Sequence, residues 1–198
     1  MSKVILSLLL AGIALSATTT QPAASAKSQG VPTAPIQLEV FSDFQCPSCK
    51  RLYEETLRPL MADLVAKGKV YLIHRDFPLQ MHPFSRQAAA YANAAARLNK
   101  YELVCAELFR QQSVWAANGK VDAAVAGVLN AEEMKKVRAL LTDKSILAET
   151  EQDIALGNKH LVNQTPTTIV TYKGRAYPIP GPVTYPILRR FLDDLLTR

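Results

Sequence analysis

The stretch IQLEVFSDFQCPSC, at residues 36–49, joins an apolar run to a pair of cysteines. The apolar run is typical of a buried β-strand. Cys46 and Cys49 follow it at the start of a helical pattern, where residues three apart lie on one face and can form a short disulfide ring. The amides of a first helical turn favour an anion, and the reactive form of cysteine is the anionic thiolate. The stretch therefore predicts a redox-active pair of cysteines.

The first 26 residues have the pattern of a secretory signal peptide. Lys3 gives a positive start, residues 4–17 are apolar, and Ala24-Ser25-Ala26 is a small-x-small cleavage site. Cleavage would leave a mature chain of 172 residues in an oxidising compartment. An uncleaved membrane anchor is the alternative, although the apolar stretch is shorter than the roughly 20 residues of a typical span. We expect a periplasmic or secreted protein without a stable membrane anchor.

The net charge and the number of cysteines limit the possible partners and disulfides. The formal charge is +6, and the charged residues are scattered along the chain without a long basic run. That pattern is typical of an ordinary surface and does not indicate a nucleic-acid partner. Three cysteines cannot all pair within one chain. Cys105 has apolar neighbours in a predicted helix, so we expect a buried free thiol, with a reactive third thiol as the alternative.

The other elements follow in the order β-α-β, a helical block, β-β and α. Polar residues 27–35 predict a tether before the first strand. Pro59 is expected to kink or restart the helix that follows the cysteines, and Gly157 to end the last helix of the block. The predicted strands are 36–41, 70–74, 167–172 and 175–179. The helices predicted in the block are 85–98, 101–112, 130–141 and 144–156.

Four features in this order resemble DsbA-like thioredoxin-fold oxidoreductases of bacteria. They are FSDFQCPSC at 41–49, RDFPL at 75–79, the helical block, and QTPT at 164–167. The similarity covers roughly residues 36–196.

The resemblance implies an α/β thioredoxin fold with an inserted helical domain. A DsbA-like domain would then occupy residues 36–198. Its thioredoxin part would comprise about 36–80 and 161–198, and its helical insertion about 81–160.

The resemblance also implies an enzyme that exchanges disulfides with exported proteins. Cys46 would be the attacked cysteine and Cys49 the resolving one, with Pro47 and Ser48 between them. Thr165-Pro166 would form a cis-proline loop against the disulfide. We therefore expect an oxidase that introduces disulfides into secreted proteins without a cofactor, because the two sulfurs carry the electrons.

The partners implied are reduced or unfolded exported proteins and a membrane-bound reoxidase, and the protein is expected to be a monomer. A reductase or isomerase of the same fold is the first alternative. The isomerases have a dimerisation module before the thioredoxin domain, for which about nine residues leave no room. A non-catalytic peptide-binding or chaperone module is the second alternative.

Glu39 departs from the family pattern. Many relatives carry an acid directly before the aromatic residue of the Phe-x-Asp segment, where this chain has Val40. A shift of one residue along a strand turns a side chain to the other face, unless a bulge restores it. Glu39 is therefore only a weak candidate for the proton acceptor of Cys49.

A structural disulfide and a metal half-site are the alternatives for the two cysteines. A disulfide across three residues restricts the unfolded chain little, which argues against a purely structural bridge. Zinc usually requires four ligands in paired spacing, which Cys105 and the three histidines do not show. We expect no metal, and we expect the histidines to be structural or solvated: His74, His82 and His160.

Overall fold

A computed structural model describes residues 27–198, so the predicted signal peptide lies outside the described residues. A five-stranded sheet with the order β1-β3-β2-β4-β5 forms its centre. The central strand β2 runs parallel to β3 and antiparallel to β4. The strands are β1 (Ser28–Gln29), β2 (Ile36–Ser42), β3 (Val70–Asp76), β4 (Thr167–Tyr172) and β5 (Arg175–Pro180).

The described part of the chain contains eight helices. Helix α1 covers residues 47–65 and combines α-helical Pro47–Leu52 and Arg58–Leu60 with π-helical Tyr53–Leu57 and Met61–Val65. The others are α2 (Ser85–Ala96), α3 (Tyr101–Arg110), α4 (Gln112–Asn118), α5 (Val121–Ala126), α6 (Ala131–Leu140), α7 (Lys144–Lys159) and α8 (Tyr185–Leu196). Between residues 27 and 198, no helix has the length and apolar character that crossing a membrane requires.

The two faces of the sheet bury different sets of side chains. Leu38 and Val40 of β2 join the main core, which also contains Leu64 of α1 and Leu188 of α8. We call this side the α1 face. Phe41 points to the opposite side with Phe77, Val162 and Ile169, and partly buried residues of α7 pack against them. We call that side the α7 face. Because strand side chains alternate, neighbouring residues of β2 lie in separate environments.

The six helices α2–α7 lie between β3 and β4, where the resemblance placed the helical insertion. The fully buried Trp115 packs among them, and its indole N–H donates to Leu108 O at 2.7 Å. The sequence did not predict α4 and α5, which have only seven and six residues. Segments this short show less than two turns of apolar periodicity, so their pattern is weak.

The predicted tether is in part an element of the fold. Ser28 and Gln29 form β1, which pairs antiparallel with β3 and covers its edge. Lys27 is buried, and its Nζ contacts the carboxylates of Asp76, at 2.8 Å, and Asp153. The first residues of 27–35 are therefore held by a ladder and a buried ion pair, which their polar composition did not reveal.

Pro59 does not restart the helix, which was one of the two predicted outcomes, because residues 47–65 stay helical without a break. Wider π-turns flank it: Arg58 N donates to Tyr53 O, and Ala66 N donates to Met61 O. Such turns accommodate a residue without an N–H while the chain stays helical.

Gly157 does not end α7, which continues to Lys159. A Cβ at this position would lie 2.6 Å from Cε2 of Phe77, a distance that real contacts do not show. The glycine therefore allows α7 to pack closely on the α7 face, and the sequence pattern misidentified it as a stop signal.

Candidate active site

Cys46 is the N-cap of α1, directly after the turn that leaves β2. Its backbone is extended, with φ −77° and ψ 122°, and its carbonyl accepts from the N–H groups of Cys49 and Lys50 at 3.1 and 3.2 Å. Both cysteines are free thiols. Both are buried, but Cys46 is 8% exposed and Cys49 only 1%, so Cys46 is the more accessible residue of the pair.

The environment of Cys46 favours the thiolate. The hydrogen bond from the Cys49 thiol has the largest effect, and together with the backbone N–H groups of Cys49 and Ser48 it lowers the pKa of Cys46 to about 5 against the opposing effect of burial. The side chain of Thr165 acts in the same direction. These donors are dipoles and not countercharges, which is the arrangement expected at a helix N-terminus.

Cys49 has the opposite character. Burial raises the pKa of Cys49 well above its ordinary value, and the neighbouring Cys46 thiolate raises it further. The Ser42 hydroxyl and the N–H of Asp43, 3.4 Å from the sulfur, only partly offset this. One thiol is therefore held as an anion and its neighbour as a neutral hydrogen-bond donor.

The loop at Thr165-Pro166 lies against Cys46, although it is distant from the cysteines in sequence. The peptide bond between these residues is cis, as the sequence predicted, and Pro166 is buried. Thr165 O lies 3.5 Å from Cys46 Sγ. The structure thus brings the loop and the cysteine pair together across more than 100 residues of sequence, while Pro47 is exposed and Ser48 half-buried beside the thiol.

Glu39 does not join this group. The pairing of β2 with β3 and β4 is regular, without the bulge that could have turned Glu39 towards the cysteines. Its carboxylate is buried on the α7 face and accepts from Nε and Nη2 of Arg75 at 2.9 and 2.6 Å. Val40 occupies the α1 face instead, in the same core as Cys49. The geometry therefore does not support Glu39 as the proton acceptor of Cys49.

Asp43 is a supporting residue that sequence reasoning missed. Its fully buried carboxylate accepts from the N–H groups of Gln45 and Leu79 at 2.7 and 2.8 Å and from the Ser85 hydroxyl, and it contacts His82 Nδ1 at 2.7 Å. These bonds tie the turn before Cys46 to the segment that leads into α2. The only local signal was the Asp-x-Gln spacing, which is typical of an Asx-turn.

The remaining candidates lie apart from the reaction centre. Cys105 is fully buried and burial raises its pKa, as expected for a structural thiol. His74 is buried on β3 opposite Val40, and burial, followed by repulsion from Lys27, lowers its pKa to about 4. The imidazole is therefore neutral at ordinary pH. Of the histidines, His82 is the one that reaches the active-site turn.

A family model described as thioredoxin matches residues 24–194. The chain belongs to this thioredoxin family. A search of curated proteins also finds the Na(+)/H(+) antiporter NhaA 1 of Mycolicibacterium gilvum, 28% identical over 154 residues. That match covers 76% of this chain but only 24% of the antiporter, so the chain spans about a quarter of the length of this relative.

Solved structures show the same thioredoxin fold. Wolbachia pipientis alpha-DsbA1 superposes with a TM-score of 0.71 at 19% identity, covering 85% of this chain and 89% of that one. Bacillus subtilis BdbD, in its oxidised form, gives 0.69 at 20% identity and covers 90% and 97%. A thioredoxin-like oxidoreductase from Silicibacter pomeroyi gives 0.66 at 24% identity and covers 86% and 92%. The architecture is thus a DsbA-like thioredoxin fold with a helical insertion.

An apolar groove lies between β5 and α8 in this thioredoxin-family chain. Gly181 N donates to Pro166 O at 2.8 Å, which places the end of β5 beside the loop that contacts Cys46. The groove lies along β5 and α8 and has a volume of about 380 Å³. It is lined by Tyr177, Pro178, Ile179, Val183, Ile187, Leu188 and Phe191.

Proposed function

We propose that the chain is an exported protein disulfide oxidoreductase that introduces disulfides into other exported proteins. Cys46 and Cys49 are the catalytic residues, and Pro47, Ser48 and the Thr165-Pro166 loop form their environment. The observation that carries the proposal is the asymmetry of the two thiols. Cys46 is the more accessible and is stabilised as a thiolate, whereas the buried Cys49 is kept protonated.

The reaction starts from the disulfide form of the enzyme. A substrate thiolate attacks Cys46 Sγ, the Cys46–Cys49 bond breaks, and Cys49 leaves with the electron pair and takes up a proton. A second substrate thiolate then attacks the substrate sulfur of the mixed disulfide and releases Cys46 as a thiolate. The substrate loses two electrons to form its disulfide, and the enzyme gains both as a dithiol.

The stabilised thiolate favours oxidation of substrates over reduction. A thiol of low pKa is a good leaving group, and stabilising the reduced enzyme makes its disulfide a stronger electron acceptor. We expect a reduction potential above the roughly −270 mV of thioredoxin.

The apolar groove supports a reduced, unfolded polypeptide as the substrate. Unfolded chains expose apolar side chains, and a groove lined by apolar side chains of β5 and α8 can bind such a segment. Ile187, at 64% exposed, leaves the groove open to such a segment.

The setting proposed for this enzyme follows from the leader-like first 26 residues. The protein would act as a monomer in the periplasm or outside the cell, where thiols are oxidised. Each turnover leaves the enzyme as a dithiol, so a membrane-bound reoxidase would have to remove two electrons. No cofactor takes part in the exchange itself.

Equilibration with glutathione tests the direction of the reaction, with refolding of a reduced, disulfide-containing protein as the activity assay. Replacement of Cys46 by Ser should abolish activity. In Cys49→Ser, the Cys46 thiolate should attack glutathione disulfide, release one glutathione thiolate and accumulate as a mixed disulfide, because the resolving thiol is missing. The Cys105→Ser variant, which alters a thiol outside the site, should retain activity. A potential at or below that of thioredoxin would instead assign a reductase, and refolding activity that survives Cys46→Ser would indicate a non-catalytic chaperone.

A further inference from the structure

Two glutamines connect the active-site turn to the helical insertion. Gln112, the first residue of α4, is 6% exposed, and its Nε2 donates to Phe44 O at 2.7 Å and to Cys46 O at 3.0 Å. Gln45, in the turn itself, donates to Ala116 O of α4 at 3.3 Å. The bonds therefore run in both directions between the turn and α4.

The contact from Gln112 falls on the carbonyl of the reacting cysteine. Cys46 O already accepts from the first-turn N–H groups of Cys49 and Lys50. Because Pro47 has no N–H, the peptide that joins it to Cys46 has no donor to balance this carbonyl. A third donor at the same oxygen offsets its partial negative charge close to the sulfur. It also fixes the orientation of the N-cap residue, since Phe44 O is held by the same amide.

We propose that Gln112 is a positioning residue, which holds the turn bearing Cys46 and makes the insertion part of the thiolate-stabilising environment. The inference rests on the proposed function, because it assigns Gln112 to the same redox site. Its effect is transmitted through the Cys46 backbone, and Gln112 itself does not touch the sulfur or the substrate. Nothing in the local sequence pointed to this residue, which lies 66 positions after Cys46.

The test is a thiolate titration of the reduced protein, followed by absorbance near 240 nm. Gln112→Met keeps the side-chain length but cannot donate, and we expect it to raise the pKa of Cys46 by about half a unit to one unit, a three- to tenfold weaker ionisation. Gln112→Glu keeps the shape but turns an acceptor towards both carbonyls, so the rise should be larger. The matched control is Gln111→Met, because Gln111 bonds Glu107 and not the turn.

A purely structural role would lower the unfolding midpoint without moving the thiolate titration. An unchanged pKa in a folded Gln112 variant would overturn the inference, as would an equal shift in Gln111→Met. If neither variant folds, the wild-type protein decides: the side-chain amide signals of Gln112 should titrate with the Cys46 midpoint in NMR spectra, and their insensitivity would refute the proposal. Failure of the wild-type protein to exchange disulfides would reject the proposed function separately, since the titration needs no substrate.

Discussion

The two faces of the sheet differ in the charge of the side chains that they bury. On the α7 face, Glu39 pairs with Arg75, and Arg75 also contacts Asp153 at 3.1 Å. On the α1 face, the neighbouring strand positions hold Val40 and a neutral His74. On the α7 face, each of these charged side chains is therefore paired with an opposite charge. On the α1 face, which carries the cysteines, residues 40 and 74 place no charge near the thiolate.

This difference shows how the thiolate is stabilised. A single-residue shift along β2 placed the acid on the far side of the sheet, so the pKa of Cys46 depends on hydrogen bonds from Cys49, Ser48 and Thr165. Such dipoles keep their orientation as pH changes, whereas a nearby carboxylate would repel the anion. The redox site and the charged cluster should therefore respond independently to mutation.

The largest expected effect is the difference in reactivity between the two thiols. Cys46, with a pKa of about 5, is almost fully ionised at pH 7, while the pKa of Cys49 lies above its ordinary value. In the reduced protein, iodoacetamide should label Cys46 at least about 100-fold faster than Cys49. Peptide mass spectrometry of pulse-labelled samples measures both rates.

The pH dependence of this labelling tests whether the pKa of Cys46 is lowered. The rate at Cys46 should be constant above about pH 6 and fall as pH drops through about 5, because the thiolate becomes protonated. A midpoint near the ordinary thiol value, or faster labelling of Cys49 or Cys105, would contradict the assignment.

A second large effect is expected on the α7 face. Asp153 is 4% exposed and accepts from Lys27 Nζ, from Arg75 Nη1 at 3.1 Å and from Asp76 N at 3.0 Å. Asp153→Ala leaves buried cations undercompensated and should lower the free energy of unfolding by about 3–5 kcal/mol. Urea denaturation measures the change, and the exposed Asp194→Ala serves as the control, with a change within about 0.5 kcal/mol. A loss as small as the control's would mean that the cluster contributes little.

A smaller effect is expected where α7 meets the same face. In Gly157→Ala the new methyl group would meet the ring of Phe77, so α7 must shift, and we expect a destabilisation of about 1–3 kcal/mol. Adding Phe77→Leu should recover part of that loss in thermal unfolding, since the smaller side chain vacates the contact. Equal losses in the single and double variants would show that the ring is not the obstacle.

Local patterns predicted much of the fold. Strand β4 has the predicted bounds 167–172. Helix α6, predicted at 130–141, begins at Ala131 after a capping box formed by Asn130 and Glu133. The two predicted strands β4 and β5 are joined by Lys173 and Gly174, which both have positive φ. Each of these signals lies within a few neighbouring residues, where apolar periodicity and turn chemistry are decisive.

The features that the sequence did not reveal depend on contacts between distant segments. Gln112 reaches the active-site turn, Asp43 collects donors from residues 79–85, and Lys27 bonds Asp153 across 126 positions. A single sequence contains no local pattern for such pairings. The cysteines could be assigned because their spacing is itself local, whereas the groups that hold them in place could not.

The last prediction separates the two faces with one substitution. Glu39→Gln removes the charge that pairs with Arg75 but keeps a carbonyl acceptor for its N–H groups, so we expect a loss of about 1–2 kcal/mol in the free energy of unfolding. The pKa of Cys46 and its labelling rate should not change, because Glu39 lies across the sheet from the sulfur. The matched comparison is Val40→Glu, which puts a carboxylate on the α1 face beside the neutral His74 and should both destabilise the protein and raise the pKa of Cys46. A shifted thiolate titration in Glu39→Gln would show that the acid acts on the cysteines through the sheet, and the independence of the two faces would then be wrong.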